Sequence, residues 1–148
     1  MRLDIVAVGQ MRGTSEEDLV HTYRDRAIKA GRQIGIDGPH ITEIKERKGS
    51  TGSAKQREES ALLQTALEAR SGLVVMLDET GKQMTSRAFA AQVTDWQDKG
   101  AAQVTFIIGG ADGLTPDLRQ RADIPLSLSK MTWPHMLARR FYANKYGA

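Results

Sequence analysis

Short apolar, β-branched runs alternate with segments of helical spacing along almost the whole chain, and this alternation restricts the possible folds more than any other feature. LDIVAV (3–8) ends at a glycine and reads as a strand. Thr14 and Glu17 form a capping-box pattern, with Ser15 a competing cap. Leu19, Tyr23, Ala27 and Ala30 follow at helical spacing and predict a helix ending before Gly31. HITEI (40–44) predicts a second strand. Ser53 can cap a second helix, with Ala61, Leu62, Leu63, Ala66 and Leu67 on its apolar face, up to about Ala69. LVVML (73–77) is continuously apolar, as in a strand covered on both faces, and the turn DETGK follows. Thr85 or Ser86 caps a third helix, with Phe89, Ala90, Val93 and Trp96 along one side. VTFII (104–108) is the next buried strand. Thr115 followed by Pro116 is a cap with proline at the first helical position, and that helix ends near Arg121. IPLSL (124–128) is a last strand that Pro125 assigns to an edge or a strand start. Pro134 can open a final helix from 135 to about 142.

Alternation at these lengths requires crossover connections. The expected fold is α/β: a mostly parallel five- or six-stranded sheet with helices on both faces, in one domain spanning 1–148. Ligands on such sheets bind outside the carboxyl ends of the strands. Those ends carry LDETGK, IGGADG and SLSKMTWPH. Gly109 and Gly110 therefore admit two readings, a tight turn or a backbone cradle for a ligand. Their place at the expected ligand edge favours the cradle.

Charge narrows the partners. From 124 to 148 there are four cations, Lys130, Arg139, Arg140 and Lys145, and no acid, so the net charge of +3 resides at the C-terminal end. KERKGSTGSAKQR (45–57) holds five cations and one acid and reads as a mobile basic loop. Such segments attract polyanions, although a solvated face is the more common explanation of a charge run. No apolar run approaches the roughly 20 residues of a membrane span, and the first residues lack the pattern of a signal peptide. The absence of cysteine excludes disulfides and thiolate chemistry and is compatible with a cytoplasmic home.

The chemistry is narrowed mainly by elimination. GQMRG after the first strand is neither a dinucleotide fingerprint nor a P-loop. There is no nucleophile elbow and no H-E-x-x-H. His21, His40 and His135 have no metal-ligand spacing, and no metal is expected; His21 reads as helix surface, His40 as the start of a strand, and His135 lies in the candidate site. This inventory suits a reaction that needs positioning rather than a protein nucleophile, such as methyl transfer, where the reactive centre belongs to the cofactor.

AVG near the start, LDETGK, FIIGGADGL and LSLSKMTWPHMLAR together resemble the RlmH family, with similar element order from residue 1 to about 139. That family comprises SPOUT-class methyltransferases that methylate N3 of a pseudouridine in large-subunit ribosomal RNA with S-adenosylmethionine. The resemblance implies an α/β knot, a homodimer and the assembled ribosome as substrate. It also implies a cofactor site at Leu77, Gly109, Leu128, Ser129, Lys130, Met131, Thr132 and Trp133. In that site Leu77 and Met131 would cover the adenine, backbone groups of the last loop would read its edge, and Gly109 would leave room for the sugar or the methionine moiety. Lys130, Arg139 and Arg140 would meet RNA phosphate. The proton acceptor is not assigned. Family members continue with a longer apolar helix and a Tyr-His-Arg/Lys-type tail, whereas this chain ends RRFYANKYGA, without the apolar spacing of an interface helix. A truncated or frame-shifted reading explains this better than a divergent end. Two other functions follow as alternatives: an inactive relative that binds cofactor or RNA without turnover, and a nucleotide-binding protein unrelated to RNA, whose affinity would depend little on salt.

Overall fold

The structure, a computed structural model, describes residues 1–128. It contains β1 (Arg2–Val8), α1 (Glu17–Arg32), β2 (Asp37–Ile44), α2 (Gly52–Glu68), β3 (Leu73–Gln83), α3 (Ser86–Asp98), β4 (Gln103–Ile108), α4 (Pro116–Arg121) and β5 (Ile124–Ser127). The five strands form one sheet in the order β2-β1-β4-β3-β5, and every pairing is parallel. All carboxyl ends thus lie on one edge. The α/β architecture with helices on both faces is as expected. The knot and the final helix from 135 onward lie outside the described residues.

The layers follow from period-two alternation along the strands. On β1, Leu3, Ile5 and Ala7 face one side with Val104, Phe106 and Ile108 of β4, and α3 covers them with Phe89 and Trp96. The Phe106 ring centroid lies 6.1 Å from that of Phe89 and 6.2 Å from that of Trp96, a tilted pair and an edge contact. Val6, Val8, Val74, Met76 and Ile107 face the other side, under Leu63 and Leu67 of α2 and Leu118 of α4. Strands buried on both faces are the reason the sequence shows unbroken apolar runs.

Several local expectations hold in detail. Thr85, not Ser86, caps α3 and accepts the Ala88 N–H. Thr115 caps α4 with Pro116 next to it. Pro125 lies in β5, at the sheet edge, where the ladder does not need its missing N–H.

Other expectations change. The capping box at Thr14 and Glu17 does not close. The Thr14 hydroxyl donates to the Met11 carbonyl, the Glu17 carboxylate takes the Gly13 N–H, and α1 starts from Glu16 without a side-chain cap. Gly31 lies inside α1, where a Cβ would stand 3.0 Å from the Ile36 carbonyl oxygen; glycine there permits close packing and does not end the helix. Ser53 falls within α2, which begins at Gly52 after Thr51. The basic loop is correspondingly shorter than 45–57, because Lys55 and Arg57 ride on the helix and Lys55 pairs with Glu46. His40 stands inside β2, bonded to Asp37 at 2.9 Å, and does not begin the strand. The largest change is in β3, which runs on to Gln83 instead of ending at Leu77.

Candidate functional site

The exits of β4, β3 and β5 lie side by side. Met76 stands beside Ile107, and Leu77 beside Leu126, so Leu77, Gly109 and Leu128 occupy one edge of three adjacent strands. Leu77 and Leu128 are half-buried and pack on the rim of the Phe106 core. The alternation implied a common edge for these ends, and the strand order makes them neighbours. Ser129, Lys130, Met131, Thr132, Trp133, His135, Arg139 and Arg140 lie outside the described residues.

Residues DETGK, expected to form a turn after the strand, instead lie within the continuing strand β3. β5 pairs with β3 on both sides of this segment, through Leu77–Leu126 and Lys82–Leu126, leaving residues 78–81 as a bulge at the ligand edge. Asp78 shapes the bulge: it accepts the Thr80 N–H at 3.2 Å and the Thr80 hydroxyl at 2.9 Å, and pairs with Arg119 of α4. Burial pushes the Asp78 carboxyl up, but the Thr80 bonds and the Arg119 charge outweigh it and hold the group below the ordinary aspartate range. Gly81 lets the bulge return to β5, for reasons of space rather than of backbone angle.

The glycine pair serves as both turn and seat. Gly113 donates its N–H to the Gly110 carbonyl at 3.1 Å, closing a turn over 110–113, with Gly113 at φ +75°. Neither Gly109 nor Gly110 has a left-handed φ, so space is what their missing side chains provide. A Cβ on Gly109 would meet Leu114 Cδ2 at 2.9 Å; one on Gly110 would meet Glu59 Oε1 at 2.7 Å and Val8 at 3.2 Å. The turn is docked onto α2 by polar side chains. The Gln56 amide donates to the carbonyls of Asp112 and Leu114, and the Ser60 hydroxyl accepts the Thr115 N–H at 3.0 Å.

Glu59 was not singled out in the sequence. It is 1% exposed, one oxygen accepts the Arg47 N–H at 3.2 Å, and Oε1 has no hydrogen-bond partner among the described residues. A signal was present: Glu59, Leu63 and Leu67 share one helix face at spacings of four, so this carboxylate lies on the apolar stripe. Glu59 lies between two loops: it is hydrogen-bonded to the basic segment after β2 and stands beside Gly110 of the glycine turn after β4.

No helix among the described residues is long and apolar enough to cross a membrane. A family model described as "Predicted SPOUT methyltransferase" matches residues 1–145. The chain is 44% identical to the ribosomal RNA large subunit methyltransferase H of Rhizobium rhizogenes over 145 residues, covering 98% of this chain and 90% of that protein. The protein of the same description from Allorhizobium ampelinum matches with the same identity and coverage. The one from Rhodopseudomonas palustris is 42% identical over 94% of this chain and 86% of its own length.

Proposed function

The chain belongs to the SPOUT methyltransferase family, and on that premise we propose that it transfers a methyl group from S-adenosylmethionine to N3 of a pseudouridine in large-subunit ribosomal RNA. Relatives matched over 98% of the chain support methyl transfer to this RNA rather than binding without turnover. The structural observation that carries the reading is the aligned exit of three adjacent strands, with half-buried apolar groups at Leu77 and Leu128 on neighbouring β3 and β5 and a glycine turn beside them at the exit of β4.

The described residues fit such a donor. Leu77 and Leu128 offer apolar cover for a purine, and Gly109 presents backbone without a side chain in the way. On the α2 side of the sheet, Glu59 Oε1 is buried without a hydrogen-bond partner among the described residues. When bound, the sulfonium supplies an already activated methyl group, so the protein's part is to position and desolvate. Ser129, Lys130, Met131, Thr132 and Trp133 complete the donor site in this reading, while Arg139, Arg140 and the cations of 45–57 meet phosphate. The protein works in the cytoplasm as a homodimer on the assembled ribosome, because a chain of 148 residues alone offers little surface for a folded RNA.

Mass spectrometry of ribosomal RNA tests this reading. A strain lacking its own enzyme and complemented with this 148-residue chain is expected to regain one methyl group on the target pseudouridine. A stably expressed, folded chain that leaves that base unmethylated would reject it.

A further inference from the structure

We propose that Glu59 is a ligand-positioning residue whose free carboxylate oxygen receives the ammonium group of the methyl donor's amino-acid moiety. The inference rests on the donor site proposed above and adds a contact to it. Glu59 occupies a distinctive place in the topology. The chain leaves β1 toward β2 on one side of the sheet and leaves β4 toward β5 on the other, so its crossovers diverge between β1 and β4. The crevice outside the carboxyl ends at such a divergence is where parallel sheets take ligands. Val8 ends β1, Gly110 follows β4, and both Val8 and the Glu59 carboxylate lie beside Gly110.

The charge at this point has no direct ion pair among the described residues and is compensated only by the field of Lys55. The nearby Lys55 ammonium is paired with Glu46, and Arg47 offers its backbone N–H rather than its guanidinium. No ion pair to Glu59 occurs among the described residues. A buried carboxylate with one backbone donor and one open oxygen is costly unless a cation joins it. A primary ammonium is a compact charge with three donors and meets both needs at once.

Gly110 supports the same assignment. Its backbone angle suits any residue, yet the smallest possible side chain would come 2.7 Å from Oε1. Glycine there keeps the carboxylate in place and leaves only a methylene beside it. An ammonium on a flexible carbon chain fits such a narrow approach, whereas a planar base carrying its ribose and phosphate does not.

Calorimetry on the full chain with two probes tests the contact. S-adenosylhomocysteine carries the amino-acid moiety, and 5′-methylthioadenosine lacks it. Glu59→Gln keeps size and an acceptor but removes the charge. It is expected to weaken S-adenosylhomocysteine at least tenfold, to change 5′-methylthioadenosine less than twofold, and to leave the unfolding midpoint unchanged or raised. Gly110→Ala, which displaces the carboxylate, is expected to give the same selective loss. Equal affinity of wild type and Glu59→Gln for S-adenosylhomocysteine overturns the assignment, as does a parallel loss of both probes. Retained S-adenosylhomocysteine affinity with lost methyl transfer also overturns it and moves the carboxylate to the RNA base. Wild-type protein that binds neither probe sinks the donor site itself, an outcome distinct from the other three.

Discussion

Gly81→Val is expected to abolish donor binding and to lower the unfolding midpoint by roughly 10 °C. An ideal Cβ at this position would lie 2.7 Å from the Pro125 carbonyl carbon, 2.8 Å from the Leu126 nitrogen and 2.9 Å from the Pro125 oxygen. These are backbone atoms and cannot swing aside as a side-chain tip can. The residue has no left-handed φ, so the cost is wholly steric. Relief requires β5 to leave β3, its sole partner strand among the described residues. Overpacking of this kind costs about 3 kcal/mol, and each kcal/mol moves the midpoint of a domain near this size by roughly 2–4 °C. Function suffers more than stability, because β5 leads directly to Leu128 and the proposed donor loop. Thermal unfolding followed by circular dichroism, with calorimetry using S-adenosylhomocysteine, checks both parts. Wild-type affinity in a Gly81→Val protein would show that the bulge does not support the site.

Asp4→Ala is expected to cost about 3 kcal/mol without changing donor affinity, because it breaks a buried charge cluster at the opposite end of the sheet. Asp4 is fully buried in β1. Arg2 donates to it through Nε at 2.9 Å and through a second nitrogen at 3.1 Å; Gln103 donates at 2.7 Å, and Arg70 Nε stands 3.7 Å away. The other Arg70 nitrogens reach the Ala66 carbonyl and the Thr42 hydroxyl, so the cluster joins β1, β2, β4 and the C-terminal end of α2. Burial pushes the Asp4 carboxyl up, but the bonds from Arg2 and Gln103 and the charges of Arg2 and Arg70 more than reverse it, leaving the group below its ordinary value. The pH dependence follows by linkage. A depressed folded pKa contributes stability that is complete above the unfolded value of about 3.9 and is lost as pH falls through the folded value. The stability gap between wild type and Asp4→Ala should therefore be constant from pH 5 to 7 and narrow below about pH 4. A gap unchanged down to pH 2 would mean that the carboxylate charge is not what holds the cluster.

The frame of the molecule was legible because its physics is periodic. Alternating apolar runs and helical spacings imply parallel strands, and parallel strands place Leu77, Gly109 and Leu128 on one edge before any coordinates are seen. Caps carried by a single side chain, such as Thr115 before Pro116, were equally readable. Features that depend on a distant part of the chain were not. DETGK has turn chemistry but continues β3 with a shift in register, because β5 pairs on both sides of it, and no local signal in 78–82 reports that distant strand. Thr14 and Glu17 had the spacing of a cap but found nearer partners in Met11 and Gly13. Glu59 was not singled out in the sequence; its burial becomes apparent once Gly110 is placed against it. The glycine pair invited a cradle reading from its position, whereas the structure gives the vacated space to Leu114 and Glu59. What the pair provides is therefore room for Leu114 at Gly109 and for the Glu59 carboxylate at Gly110.

Amide chemical shifts recorded while S-adenosylhomocysteine is added to the labelled protein test the placement of the donor most directly. The account predicts large shifts at Leu77, Gly109, Gly110 and Leu128, along the exits of β3, β4 and β5, with Arg2, Leu73 and Gln103 at the opposite edge unmoved. Shifts gathered at that opposite edge, with the four strand-exit amides silent, would contradict it.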